Sequence, residues 1–109
     1  MAESSQPLYE VVSPLGRRSV ATQTPLAPRL TDLSGRTVAF VWDHVFKGDR
    51  MFDRFADEAS TRYADARFVP HEAFGNIHGT AAEEEEAVAL LPERLRAHGV
   101  DAVVVGVGA

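Results

Sequence analysis

Charged and aromatic side chains follow the first strongly apolar segment of the chain, between Trp42 and Asp49. Open α/β proteins bind ligands where a buried strand ends, and the amino terminus of the next helix attracts anions. Asp43 could act there as a general acid or base or orient another group, and Lys47 could contact an anion. We predict that Trp42 and Asp49 contact substrate. The alternative is that both aspartates are turn and capping residues and that Lys47 is solvated.

A second group of candidate residues lies in the segment 71–79, after the next apolar stretch. His78 is flanked by turn-forming residues and could donate a hydrogen bond or carry a proton; alternatively, it is a loop histidine bonded to the backbone. His71 and Glu72 begin the segment, but no HExxH motif or other standard zinc spacing is present, so we predict no metal and no cofactor. The predicted catalytic residues are Asp43, Lys47 and His78.

Two glycines follow the β-branched run near the carboxyl terminus, at Gly106 and Gly108. A single GxG is a weak dinucleotide-binding fingerprint. Glycine does, however, allow another group to approach the backbone closely. We therefore predict that both glycines contact substrate at the end of the final strand.

The apolar and polar residues alternate in a way that predicts strand, helix, strand, helix, strand. The predicted elements are a strand 37–42, a helix capped by Asp49 with an apolar face from Phe52 to Tyr63, a strand 67–70, a helix from the Thr80–Glu83 capping box to Gly99, and a strand 100–107. In the second helix, Val88, Leu91 and Leu95 form the predicted buried stripe, and Pro92 should kink or restart the helix. This order predicts an α/β fold with a small, mostly parallel three-stranded sheet and two helices, half of a doubly wound domain.

Residues 1–35 are predicted to form an extended, proline-rich arm, and residues 36–109 the small α/β domain. The arm contains Pro7, Pro14, Pro25 and Pro28 and lacks helical periodicity. Its segment 8–12 could form one short strand. The arm could fold onto its own domain or wrap a partner subunit, and the sequence leaves both open.

Composition excludes several classes of protein. The 109 residues carry a net charge of −5 with no basic stripe, which argues against nucleic-acid binding. There is no cysteine, hence no disulfide or thiolate metal site. No apolar run approaches the roughly 20 residues that span a bilayer, and the amino terminus lacks the pattern of a signal peptide. We expect a soluble, cytoplasmic protein without membrane contact.

Several short motifs resemble the opening of the UGSC family, which is named for a selenocysteine- or cysteine-Gly-Ser-Cys motif. They are the segments 26–30, 33–43, 46–49, 68–69, 74–79 and 99–109. The resemblance runs from about Leu26 to the end and implies a shared scaffold and pocket positions at Asp43, Lys47, Asp49 and His78. In the family the motif follows the strand corresponding to 106–109, and this chain contains no cysteine to supply that chemistry.

The predicted function is that of a small subunit in a heteromeric bacterial enzyme that acts on a small molecule. A larger partner would cover the final strand and complete the site, and the chain alone would be inactive. The expected setting is secondary metabolism such as antibiotic biosynthesis, with lyase chemistry: elimination or ring closure that releases an anion. Two alternatives are a non-catalytic stabilising or regulatory subunit and a fragment of a longer UGSC-like protein.

Overall fold

The structure, a computed structural model, describes residues 6–16 and 24–108 and contains the predicted alternation of strands and helices. Its elements are β1 (Thr37–Trp42), α1 (Gly48–Arg62), β2 (Arg67–Val69), a short 3-10 helix (His71–Ala73), α2 (Ala81–Ala97) and β3 (Ala102–Gly106). The α/β fold class is therefore confirmed.

The three strands form one parallel sheet in the order β2-β1-β3. The central strand, β1, is buried along its whole length because it has a strand on either side and side chains packed on both faces. Strand order reverses between β1 and β3, since the chain leaves β1 toward β2 and returns past β1 to β3. In doubly wound sheets such a switch point is where ligands bind.

One face of the sheet packs against α1 through aromatic rings. The cluster is built from Phe40, Trp42 and Phe52, with Phe68 beside it. The Phe40 ring stacks on that of Phe52 at a centroid distance of 4.7 Å and lies 5.9 Å from that of Phe68. Stacked aromatic pairs of this kind contribute beyond the area they bury, so they fix α1 over β1 and β2.

The opposite face packs against α2. Phe74, which is fully buried, lies with Ala39 and Val41 of β1, and Leu91 and Leu95 of α2 pack against them. Phe74 follows the 3-10 helix, in the segment between β2 and α2. It supplies the largest fully buried side chain of the described chain.

Three local predictions about the helices differ from the structure. The residue that caps α1 is Lys47, without a side-chain hydrogen bond, because the helix already begins at Gly48; Asp49 lies in its first turn, where a carboxylate suits the helix dipole. Of the two outcomes predicted at Pro92, the restart is excluded because α2 runs through that residue, and the kink stays a prediction. Val88 is 52% exposed, and Ala87 is buried instead. The Thr80–Glu83 capping box is confirmed.

The outer edge of the sheet at β3 is exposed. Val103, Val105 and Val107 are 39%, 55% and 72% exposed. Alternate residues of a strand share a face, so these valines form one apolar row that the described residues leave largely uncovered.

The described parts of the predicted arm, 6–16 and 24–35, contain turns but neither helix nor strand. Leu8, Val12 and Leu26 are almost fully exposed and do not pack on the α/β domain. The strand considered for 8–12 is absent. The remaining arm residues, 1–5 and 17–23, and Ala109 lie outside the described residues.

Candidate functional site

Asp43 connects the ends of β1 and β3 at the switch point of the sheet. It is 4% exposed, and each of its carboxylate oxygens accepts a backbone hydrogen bond. The N–H of Gly108 donates to Oδ2 at 2.7 Å, and the N–H of Val45 donates to Oδ1 at 3.1 Å. The Asp43 N–H donates to the carbonyl of Gly106 at 3.2 Å. The contact with Val45 is an Asx-turn, as the alternative interpretation of Asp43 expects; the contact with Gly108 joins two strands.

The surroundings of Asp43 favour its charged form. Burial raises the pKa of the Asp43 carboxyl, but the N–H groups of Val45 and Gly108 and the charge of His78 together outweigh burial and hold the pKa below its ordinary value. The carboxylate is consequently ionised at neutral pH. It can accept a proton or orient a neighbouring group, but it holds no proton to donate.

Asp43→Asn should lower the free energy of unfolding at neutral pH, because the amide places an NH₂ group against one of the two backbone N–H donors. A lowered folded-state pKa stabilises the protein above the unfolded value and loses that effect as the pH falls through the folded value. The difference between wild type and variant, measured by urea unfolding, should therefore shrink as the pH falls below 3.8, the ordinary value. If the difference in unfolding free energy between wild type and variant stays constant across this range, the ionised Asp43 carboxylate does not stabilise the fold through these hydrogen bonds.

Gly106 and Gly108 allow two aromatic side chains, Phe46 of the loop between β1 and α1 and Phe52 of α1, to cover the end of β3. A Cβ at Gly106 would lie 2.8 Å from Phe52 Cζ, and one at Gly108 would lie 2.7 Å from Phe46 Cδ1. The close approach that the sequence predicts is therefore made by Phe46 and Phe52. A substrate contact at these glycines stays a prediction.

The Trp42 side chain lies between the first residue of α1, Gly48, and His44 of the loop that joins β1 to α1. A Cβ at Gly48 would lie 2.5 Å from its indole Nε1, so α1 can begin here only with glycine. The ring stacks on that of His44 at a centroid distance of 4.4 Å. His44 has a φ of 63°, the left-handed conformation that costs a non-glycine residue of its size free energy.

Two histidines that the sequence does not assign to the site meet beside Trp42. The His71 ring lies 4.9 Å from that of Trp42 and 5.4 Å from that of His44, centroid to centroid. Its Nε2 lies 3.3 Å from Glu72 Oε1. His44 follows β1 and His71 follows β2, and parallel pairing brings the ends of those strands together. That placement is the signal in the sequence that could identify both residues, whereas residue spacing alone raises only metal binding for His71.

The family model for the UGSC family matches residues 10–109. The chain belongs to the UGSC family. The match confirms the resemblance found in the sequence and extends it upstream from Leu26 into the arm. No curated protein and no solved structure matches the chain.

The three residues predicted to be catalytic in this UGSC-family chain do not form one cluster. His78 is exposed, its backbone N–H donates to Asn76 Oδ1 at 2.9 Å, and it lies near enough to Asp43 to affect its pKa. Lys47 is also exposed but lines a groove along α1 with Arg50 and Arg54. His78 therefore lies within electrostatic range of Asp43, while Lys47 lies in a groove along α1.

Among residues 6–16 and 24–108, no group of three or more His, Asp or Glu side chains is placed to hold a metal ion. Within the same part of this UGSC-family chain, no helix is long and apolar enough to cross a membrane.

Proposed function

We propose that this UGSC-family chain is the small subunit of a cytoplasmic, heteromeric bacterial enzyme, and that a larger partner adds a strand to the outer edge of β3. The observation that carries the proposal is the exposed row of Val103, Val105 and Val107. Strands of a parallel sheet are normally covered on both faces, and an open apolar edge favours pairing with another strand.

The surface next to β3 suits such a partner. Met51 and Phe55 of α1 are 60% and 42% exposed. With Phe46, they line an apolar groove of about 340 Å³ that continues onto Val105 and Val107. A helix laid in this groove would bury Met51 and Phe55. The side chains of Val103, Val105 and Val107 alternate with Val104 of the α1-side cluster, so a partner element on the opposite face would cover them. The exposed apolar residues of the arm offer further contact area.

An added strand would also complete a site at the switch point. Its carboxyl end would lie beside Gly108, close to the Asp43 carboxylate. There, His78 would move a proton, with Asp43 as its ionised neighbour. Lys47 lies in the groove along α1, so it could contact a released anion only if the substrate extends that far. The reaction we propose is elimination or ring closure on a small molecule in bacterial secondary metabolism, including antibiotic biosynthesis.

Co-expression with the products of neighbouring genes, followed by size-exclusion chromatography and turnover assays, tests this proposal. In the assembled complex, His78→Gln should lower kcat by about 10²-fold or more, the usual effect of losing a general acid or base. The matched control is His98→Gln, since His98 caps the carboxyl end of α2. A monomer that finds no partner, or full turnover of the Asp43→Asn, Lys47→Gln and His78→Gln complexes, would overturn the catalytic proposal.

A non-catalytic, stabilising subunit is the second candidate, and the bonding of Asp43 favours it. Both oxygens of this carboxylate are occupied by backbone N–H groups, which is the arrangement of a residue that fixes two loops. If this candidate is correct, Asp43→Asn will weaken the complex while the assembled fraction keeps the wild-type kcat.

A further inference from the structure

A cleft of about 450 Å³ lies between α1 and the segment that follows β2, on the face of the sheet covered by α1. Its aromatic lining residues are Phe40, Trp42, Phe52 and Phe68. Small-molecule sites in proteins are concave, largely apolar and of this size. The cleft can therefore enclose a ring or a short alkyl chain.

Carboxylates line the opening of the cleft. Asp49 and Asp53 approach it from α1, and Glu72 approaches it from the 3-10 helix. Among the described residues that line the cleft there is no lysine or arginine. Within the same part of the chain, neither Asp49 nor Asp53 forms an ion pair, and Glu72 pairs only with His71. Low-dielectric walls and charge of one sign concentrate ions of the opposite sign.

Two ring nitrogens of cleft-lining residues have no hydrogen-bond partner in the described structure. They are Trp42 Nε1 and His71 Nδ1, both fully buried atoms. Trp42 is 8% exposed as a whole. Buried polar atoms are paired in the great majority of cases, and leaving one unpaired costs free energy. Only His71 Nδ1 bears on a cationic ligand: because His71 Nε2 lies beside Glu72 Oε1, Nδ1 is left as a hydrogen-bond acceptor, whereas the indole N–H of Trp42 is a donor packed against Gly48.

We propose that this cleft binds a small organic cation, an amine attached to an aromatic ring. The ring would pack against the aromatic lining, and the ammonium group would lie between Asp49, Asp53 and Glu72. A cation near aromatic faces gains from their quadrupoles as well as from the carboxylates. This inference goes beyond the proposed function, because it concerns binding by this chain alone and needs neither a partner nor turnover.

Trp42 is the single tryptophan of the chain, so its fluorescence reports directly on the cleft. The 109-residue chain is titrated with phenethylamine, and in parallel with hydrocinnamate and phenethyl alcohol, which carry the same ring with an anionic and a neutral end. We expect a saturable change with the amine at millimolar concentrations, a weaker effect with the alcohol and none with the carboxylate.

Charge-removing variants locate the binding site. Asp49→Asn/Asp53→Asn should weaken phenethylamine binding by about tenfold or more, since both carboxylates that face the ammonium group from α1 lose their charge. Asp57→Asn makes the same chemical change on the exposed side of α1 and should leave binding unchanged. All three substituted residues are exposed, and circular dichroism checks that each variant keeps the fold.

Three results would overturn the proposal: no saturable change with the amine, equal binding of hydrocinnamate, or equal effects of the cleft variant and Asp57→Asn. A failed titration together with a stable heteromeric complex would reject the amine site and leave the proposed function standing. If the chain binds phenethylamine as expected but forms no complex with a partner, the amine site is supported and the proposed function is rejected.

Discussion

Phe74→Ala is expected to lower the free energy of unfolding by about 3–5 kcal/mol, the range for removing a buried phenylalanine. Phe74 is fully buried beneath α2, and its carbonyl accepts a hydrogen bond from Arg94 Nη1 at 3.2 Å. The substitution leaves a cavity between β1 and α2. Urea unfolding of the 109-residue chain, followed by circular dichroism, measures the loss.

Phe55→Ala is the matched control for this substitution, because Phe55 is 42% exposed. Removing its ring should cost only about 1 kcal/mol. Phe74→Leu conserves most of the volume and should cost less than about 1.5 kcal/mol. It keeps the comparison measurable if the alanine variant does not fold. Equal losses for Phe55→Ala and Phe74→Ala would contradict the placement of Phe74 in the core.

Val105→Glu should weaken association with the partner by about 100-fold or more, because a carboxylate would be buried without a counter-charge where the added strand pairs. The isolated chain should unfold with nearly unchanged free energy, within about 0.5 kcal/mol, since Val105 is 55% exposed there. Affinity is measured by titrating the purified partner, and stability by urea unfolding of the chain alone.

Val88→Glu provides the control for that effect. Val88 lies on α2 and is 52% exposed. The substitution Val88→Glu therefore adds the same charge at a similar exposure, away from β3. Its partner affinity should equal that of the wild type. If Val88→Glu weakens association as much as Val105→Glu, the loss comes from added charge and not from the edge of β3.

Most of the fold follows from local patterns that the tertiary structure preserves. The apolar run 37–42 is buried on both faces as a central parallel strand must be, and Pro70 ends the edge strand β2. The Thr80–Glu83 pair forms its capping box within four residues of sequence. These features depend on neighbours along the chain, which is why they could be predicted.

The differences arise where packing outweighs local preference. Pro92 removes one helical hydrogen bond, yet Leu91 and Leu95 on either side of it pack against the core and keep α2 continuous. Val88 occupies a predicted buried position, but the core touches α2 one residue earlier, at Ala87. Phe74 has no periodic neighbours, so no pattern marks it as a core residue.

Only those residues of the candidate site that directly follow a single predicted strand could be predicted from the sequence. Asp43 directly follows β1, and that position was sufficient to select it. The cluster of His44 and His71 needs two strand ends to be paired before it is apparent. Lys47 is predicted to join Asp43 because the two are close in sequence. Its side chain instead lines the groove along α1.

Hydrogen exchange of the β3 amides, in the isolated chain and in the complex purified after co-expression, tests most directly whether a partner completes the sheet. In the chain alone, the amides of 102–106 that point away from β1 should exchange rapidly, as unpaired edge groups do. In the complex they should become strongly protected, whereas the Gly108 amide, which already donates to Asp43 in the isolated chain, should change little. A stable complex in which these amides exchange as fast as in the isolated chain would contradict the pairing of a partner strand with β3.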